Sequence, residues 1–390
     1  MKKKNLIIVN LGYIGTMLSD HIKSKYKKNY VIGYDSGIFK KCYFGKKIKK
    51  KTIDLQVFGD VRKFDYNILK DIEHVIYLAA VSNDPMGNKY IKPTLDINYK
   101  SAIKIAKISK DYKISFAPER TIEGDAVNEL YKIPQLIAGF DKETGRESAK
   151  LFKKINKKII LLDKLEEAEI IKLINNTYRD ISFAYANQIA MICSSLNIPA
   201  NKLIKLSNYE YPRNKIPLAS PGVGGPCLTK DPFIFETFLK SKKQSIFSIG
   251  REINSKITIN FCKSTIKNSR NIKRVLICGL SFKGDPPTKD LRGSSSLQMI
   301  KFFKKLKKQT FCFDPLFSSS EIKRLNFKPI HKKQKLDLVI IANNNKFFRT
   351  KKFTQLLKKV TKKNTKIYDC WESLDKKSKK NFVYKTIGEI

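Results

Sequence analysis

Residues 5–15, NLIIVNLGYIG, set a short apolar run against a turn holding two glycines, with a helical pattern beyond. A buried run that breaks at glycine and resumes with helical spacing reads as strand, turn and helix. Gly12 and Gly15 stand at the second and third positions of G-x-G-x-x-G, and Asn10 stands at the first. Asn is the next best residue after glycine for a left-handed turn. Gly12 lets backbone approach a pyrophosphate, and the helix N-terminus entered through Tyr13 and Ile14 favours that anion. The next strand, VIGYD (31–35), ends on Asp35, 20 residues after Gly15. A carboxylate there would hold a ribose 2′-OH and repel a 2′-phosphate, which selects NAD. The plainer alternative is a strand–turn–helix unit that binds nothing.

Outward from this unit, HVIYLAA (74–80) reads as a third strand and 94–110 as a helix. KISFAPE (113–119), QLIAGF (135–140) and KIILL (158–162) continue the alternation, which predicts a parallel doubly wound sheet over 1–162. From Leu165 the pattern is helical for 32 residues without Gly or Pro. That is longer than an ordinary globular helix and suggests a spine between domains or a dimerisation helix. Residues 199–232 hold most of the irregular punctuation, and helix follows to about 268. The span 163–268 is therefore expected to be a central helical, dimerising and catalytic domain. RVLICGL (274–280), TFCFD (310–314), DLVIIAN (337–343) and KIYDC (366–370) predict a second, smaller sheet over 269–390. The fold class is α/β: two Rossmann-like doubly wound domains joined by a long central helix.

Composition narrows the chemistry. The chain has 390 residues, 42% of them hydrophobic, which is a globular balance. No apolar run approaches the length of a membrane span. The opening MKKKNLIIVN lacks a cleavage site and reads as a first strand, so the expected location is cytoplasmic. Seven scattered cysteines without C-x-x-C, and three distant histidines, argue against disulfides, metal sites and His-based triads. The formal net charge is +44. One reading is a nucleic-acid or acidic-membrane binder. The other, favoured because lysines fill every segment and arginine is scarce, is a set of solvated lysine faces. Such a field would still attract an anionic nucleotide.

Three further motifs can carry chemistry. In EAEIIKLINN (167–176), Lys172 and Asn176 share a helix face and can aim an ammonium and an amide at one oxyanion; a solvated face is the simpler account. In PGVGGPCLTKDP (221–232), Gly222, Gly224 and Gly225 allow a ligand close to backbone. Cys227 is then a candidate nucleophile activated by Lys230 or a loop dipole, with Asp231 as base for a water. The alternative is a small buried cysteine in a tight turn. In GLSFKGDPPTKDLRGSS (279–295), Lys283, Lys289 and Arg292 precede a Ser-rich helix start that suits phosphate oxygens. That loop can also be merely basic surface.

From about Ile114 onward the chain resembles the UDP-glucose/GDP-mannose dehydrogenase family. SFAPERTIEG, AEIIKLINNTYRD, PGVGGPCLTKDP, GREIN and GLSFKGDPPTKDLRGS occur in that family's order and spacing. The wording of SFAPERTIEG and GGPCLTKDP is most similar to the branch acting on UDP-N-acetyl-hexosamines. The resemblance implies NAD-dependent oxidation of a sugar C6 alcohol to a carboxylate, feeding acidic sugars into surface polysaccharide. It implies Cys227 as the nucleophile forming a thiohemiacetal and thioester, Lys172 and Asn176 at the oxyanion, and Asp231 at the hydrolytic water. Glu119 and Glu123 match active-site carboxylates. Phe282, Lys283 and Arg292 match the part that holds the nucleotide, and the long helix matches a homodimer spine.

Residues 1–113 resemble a different enzyme, the N-terminal part of an NAD-dependent nucleotide-sugar epimerase/dehydratase. The stretches VFGDVRKFD, VIYLAAVSNDPMGN and TLDINYKSAIKIAK carry that likeness. The dehydrogenase family's V-P-T-P and S-T-x-P-P-G-T segments are absent. The two patterns meet at about 110–114. Epimerase chemistry needs Tyr-x-x-x-Lys after the fifth strand, and the two pairs at that spacing, Tyr66/Lys70 and Tyr211/Lys215, fall elsewhere. The sequence thus reads as a nucleotide-sugar 6-dehydrogenase. The alternative is a catalytically inactive fusion that binds nucleotide sugar and NAD, and a charge-driven nucleic-acid binder stands third.

Overall fold

The computed structural model describes residues 4–9, 11, 13–38, 53–80, 90–108, 114–153, 156–240, 244–267, 271–331 and 334–389. Its contacts divide the chain into two compact units, Met1–Ile114 and Ser115–Ile390. The division falls inside the domain expected over 1–162. Residues 115–162 group with the rest of the chain, not with the first strands. The boundary adjoins the junction at 110–114, of which 110–113 lie outside the described residues.

The first unit is a four-stranded parallel sheet in the order β3-β2-β1-β4, built from β1 (Lys4–Ile8), β2 (Tyr30–Asp35), β3 (Leu55–Phe58) and β4 (His74–Tyr77). Helix α1 (Tyr13–Lys25) follows β1. Leu6 and Ile8 pack with Ile32, Tyr34 and Phe64, while Ile7 packs with Ile22 and Val31. Both faces of β1 are therefore covered, which is why its sequence runs apolar without alternation. The sequence reading passed over β3, whose Leu55 and Phe58 are exposed; an edge strand carries no buried periodicity to detect. The expected helix over 94–110 is present but irregular. It consists of α2 (Ile91–Leu95), a π-helical stretch at Asp96–Ser101, and α3 (Ala102–Ile108).

The second unit opens with β5 (Ser115–Phe116), α4 (Ala126–Lys132), β6 (Gln135–Gly139), α5 (Lys142–Phe152) and β7 (Ile159–Leu162). These strands form their own three-stranded sheet, and β5 runs antiparallel to β6. The expectation of one continued parallel strand over 113–119 is corrected here. Pro118 has no N–H for a ladder, so pairing stops within two residues and the chain turns away.

Helix α6 (Leu165–Leu196) follows, 32 residues long. It buries Ala168, Ala184, Ala186 and Ala190, small residues that allow close approach of another helix. Asn197, at φ 53°, ends it in the left-handed conformation. Within the stretch read as irregular lie two short helices, α7 (Ala200–Asn208) and α8 (Asp231–Glu236). Helix α9 (Ile246–Lys267) then packs on α6, with Gly250 facing Ile181 and Ala184.

The C-terminal sheet has six parallel strands in the order β10-β9-β8-β11-β12-β13. They are β8 (Arg274–Cys278), β9 (Gln309–Phe313), β10 (Lys328–Pro329), β11 (Leu336–Ile341), β12 (Thr361–Asp369) and β13 (Val383–Lys385). Helices α10 (Ser295–Lys305), α11 (Ser319–Arg324), α12 (Lys351–Val360) and α13 (Lys376–Lys379) accompany them. Strand order reverses between β8 and β11. A crevice opens at such a switch point, beyond the carboxyl ends of the strands. The basic segment 279–295 leaves β8 at that point. The fold is thus α/β with two Rossmann-like parts, and the long helices α6 and α9 stand between them in the chain. No helix among the described residues is long and apolar enough to cross a membrane.

The C-terminal core rests on a phenylalanine cluster. Phe348 and Phe353 are fully buried with ring centroids 4.8 Å apart. Phe353→Ala is expected to cost about 3–5 kcal/mol, from lost transfer energy plus a cavity. A fall in the urea midpoint at unchanged slope would show this; an unmoved midpoint would contradict the packing described.

Candidate functional site

Lys172, Asn176 and Asp180 recur every four residues along α6 and so share one face. The loop 219–231 lies along that face. Its entry is pinned by two buried asparagines. The Ala219 N–H donates to Asn201 Oδ1 (2.8 Å), and the Ser220 N–H donates to Asn187 Oδ1 (2.9 Å). Its exit is pinned by Asp231, the first residue of α8 and 2% exposed. Asn176 Nδ2 donates to one Asp231 oxygen and Lys230 Nζ to the other, each at 2.6 Å. A carboxyl group that far from water needs such partners.

Cys227 sits between these anchors and is exposed. Its carbonyl accepts from Lys230 N (3.2 Å) and Asp231 N (2.9 Å), closing the turn that leads into α8. The reading of Cys227 as a buried structural cysteine is therefore excluded. Lys172 Nζ lies 3.9 Å from Glu119 Oε2. Glu119 in turn accepts from the Thr121 N–H and hydroxyl. Glu119–Lys172 and Asn176–Asp231 thus form two pairs of charged and polar groups on the α6 face to which the thiol-bearing turn is tied.

The three glycines serve a purpose that their sequence does not reveal. A Cβ on Gly224 would fall 2.1 Å from the Gly293 carbonyl, and one on Gly225 would fall 2.9 Å from the Phe282 ring. Gly222 faces Thr258 and Ser295 just as closely. Gly225, at φ 95°, donates its N–H to the Arg292 carbonyl at 3.1 Å. A side chain would meet the basic segment at Gly224 and Gly225, and Thr258 and Ser295 at Gly222.

That segment is itself cross-braced. Arg292 forks onto Asp290, with contacts of 2.6 to 3.1 Å. Burial pushes the Asp290 carboxyl up, but the Arg292 hydrogen bonds hold it below its ordinary range. Glu123 accepts from Thr288 Oγ1 at 2.5 Å, and its carbonyl accepts from Lys283 Nζ. Glu123 is thus tied to the basic segment, whereas Glu119 is tied to Lys172. Burial holds the Lys283 ammonium below the usual lysine range, against the opposing field of Glu123.

In the first unit, Asn10 and Gly12 lie outside the described residues. Tyr13 and Ile14 open α1, and the buried Gly15 accepts from Ser19 Oγ through its carbonyl at 2.7 Å. Asp35 closes β2 and is 4% exposed. Its two oxygens accept from Leu11 N (3.0 Å) and Gly37 N (2.8 Å). The carboxylate therefore sits against the turn between β1 and α1, at the carboxyl edge of the sheet. Among the described residues each oxygen keeps a further lone pair for a ribose hydroxyl, so these residues fit a dinucleotide.

Sequence reasoning left Asp180, Asn187, Arg251 and Asn254 unassigned. All four are buried polar groups hydrogen-bonded around the loop. The available signal was GREIN (250–254), a charged residue and an asparagine on what becomes an inward face of α9.

Residues 166–256 match the UDP-glucose/GDP-mannose dehydrogenase family, central domain, and residues 276–376 match that family's UDP binding domain. A UDP-N-acetyl-D-mannosamine dehydrogenase of Methanococcus vannielii is 28% identical over 263 residues, 66% of this chain and 60% of that one. Its counterpart in Methanocaldococcus jannaschii is 35% identical over 184 residues, 46% of this chain and 42% of that one. The chain spans about half the length of the curated relatives it matches. The fold is similar to that of a UDP-D-ManNAc dehydrogenase from Pyrococcus horikoshii, with TM-score 0.67, 23% identity and 99% of both chains covered. It is also similar to an NDP-N-acetyl-D-galactosaminuronic acid dehydrogenase from Methanosarcina mazei, with TM-score 0.70, 15% identity, and 99% and 95% covered.

Asn176→Ala would strip one partner from the buried Asp231 carboxylate. The expected cost is about 1–3 kcal/mol of stability, the penalty for a buried acceptor left short of a donor. Chemical denaturation of the variant checks it; an unchanged midpoint would mean that the amide contributes nothing to holding the loop.

Proposed function

We propose, for a chain that matches the UDP-glucose/GDP-mannose dehydrogenase family in its central and UDP-binding regions, that it oxidises the C6 alcohol of a UDP-sugar to the uronic acid. The observation that carries this reading is the exposed Cys227 on a turn fixed to the α6 face that presents Lys172 and Asn176. The names of the matched relatives support a UDP-N-acetyl-hexosamine as the sugar. The expected balance is alcohol, two NAD⁺ and water giving carboxylate, two NADH and three protons.

Gly15 and Asp35, with Asn10, Gly12, Tyr13 and Ile14 of the motif, would hold NAD, which would supply the hydride acceptor. The remaining work falls to this chain's own side chains. Cys227 Sγ adds to the C6 aldehyde carbon, forming a C–S bond and a thiohemiacetal. The Lys172 ammonium and the second Asn176 N–H stabilise the oxyanion. Glu119 holds the Lys172 head group in place. At the thioester stage, Asp231 orients a water and takes its proton; the C–S bond breaks and the thiolate returns. Phe282, Lys283 and Arg292, with the net positive field, hold the diphosphate and base of the nucleotide.

A homodimer through α6 belongs to the same proposal. Tyr178, Tyr185 and Ile192 recur every seven residues on α6, and Leu196 follows; all four are exposed. Light scattering is expected to give a dimer for the native chain and a monomer for a Tyr185→Asp, Ile192→Asp double variant. A native monomer would remove the dimer from the proposal. A second reading, a binding protein without turnover, draws on the division at Ile114/Ser115 beside the junction of two resemblances.

The test is NADH release over a panel of UDP-hexoses, with and without the N-acetyl group. Turnover with one of them, and a loss of at least ~10³-fold in Cys227→Ser, is the expected result. Undiminished turnover in that variant would sink the thiol mechanism. UDP binding without NADH release from any hexose would establish the second reading.

A further inference from the structure

We propose that Arg251 is a positioning residue that sets the place of Cys227 by clamping the backbone on both sides of it; this rests on the dehydrogenase reading. Arg251 lies in α9, 3% exposed, with its guanidinium against the inner side of the loop. Nη1 donates to Asp180 Oδ1 (2.6 Å) and to the Leu228 carbonyl (3.1 Å). Nη2 donates to the Val223 carbonyl (2.9 Å). Val223 and Leu228 bracket Cys227, four residues before it and one after.

The unused atoms carry the argument. Arg251 Nε and Asp180 Oδ2 are both buried and make no hydrogen bond among the described residues. Two parallel bonds between guanidinium and carboxylate would have satisfied both, and that fork is the stronger pairing. The guanidinium is instead turned so that its two terminal nitrogens meet the loop carbonyls, leaving a single-point ion pair behind it. Asp180 serves as a counter-charge that makes burial of the cation tolerable. Asn254 fixes Asp180, donating to its side chain (2.9 Å) and to its carbonyl (2.8 Å). Asn187 donates to Asn254 (2.9 Å) and accepts from the loop at Ser220. The polar chain thus leaves the loop at residue 220 and returns to it at 223 and 228.

Glycines at 222, 224 and 225 offer no side-chain anchor of their own, so the turn around Cys227 takes its place from the packing against Phe282 and Gly293 on one side and from this clamp on the other. A lysine at 251 keeps the charge but presents a point donor where a planar fork is required.

The experiment compares Arg251→Lys and Asp180→Asn with the native chain, all in a Cys42→Ser background. Among the described residues Cys227 is the only exposed cysteine, so iodoacetamide then reports on it. Four quantities are read: melting temperature, alkylation rate of Cys227, and kcat and KM for NADH release with the UDP-sugar that the panel identifies. The expected result for Arg251→Lys is a kcat lowered by ~10²-fold with KM nearly unchanged, the cost of a nucleophile misplaced by about an ångström. Its alkylation rate is expected to shift several-fold. Asp180→Asn, which keeps the volume and loses the counter-charge, should move both quantities in the same direction by less; it carries the test if the lysine variant does not fold. Native kcat and native alkylation in a folded variant would overturn the proposal, as would a rise in KM matching the fall in kcat. Alkylation needs no turnover, so the clamp is judged separately even if no UDP-hexose is oxidised.

Discussion

One face of α6 governs the region around Cys227. Asn176, Asp180 and Asn187 project from a helix that runs 32 residues without a glycine or proline, so their separations are set by helical geometry alone. Asn176 holds the far end of the thiol loop through Asp231, Asn187 holds its near end at Ser220, and Asp180 anchors the cation reaching its middle. Lys172 extends the same line toward Glu119. A rigid element thereby dictates the path of a flexible one. A kink in α6 would shift Asn176, Asp180 and Asn187 relative to one another and so distort the loop they hold.

The basic segment after β8 is tied to that arrangement by shape. Gly224 lets main chain meet main chain at Gly293, Gly225 lies against the Phe282 ring and donates to the Arg292 carbonyl, and Gly222 makes room for Thr258 and Ser295. Its cations are not loose either. Arg292 is braced by Asp290, and Lys283 is partly desolvated beside Glu123. A net charge of +44 says little about any of this. What matters locally is which few cations are oriented, and by which carboxylates.

Much of the architecture was legible because burial leaves a mark on composition. β1, β8 and β11 are covered on both faces and read as unbroken apolar runs; α6 declared itself by length. Elements whose stability comes from elsewhere were silent. β3 is an exposed edge, β10 and β13 are two or three residues long, and α7 and α8 hide in a stretch dominated by proline and glycine. The site divides in the same way. Cys227, Asn176 and Asp231 were named from motif spacing. Arg251 was not, because an arginine in a helix of mixed polarity gives no sign of facing inward, and only the packing of α9 on α6 decides it. The glycines were found and their packing partners were not, because a sequence shows where side chains are missing and not what they would have met.

The glycine contact also bears on how this scaffold can be altered. Residues 222–225 and 282–293 are interlocked at backbone distance, so a library that diversifies them would mostly sample broken loops. Tyr209 and Tyr211 lie upstream on the same connection and are exposed, Tyr209 at 72%. Variation there changes the outer surface without disturbing the interlock. Variation is best confined to that outer stretch, while the glycine-bearing part is kept unchanged.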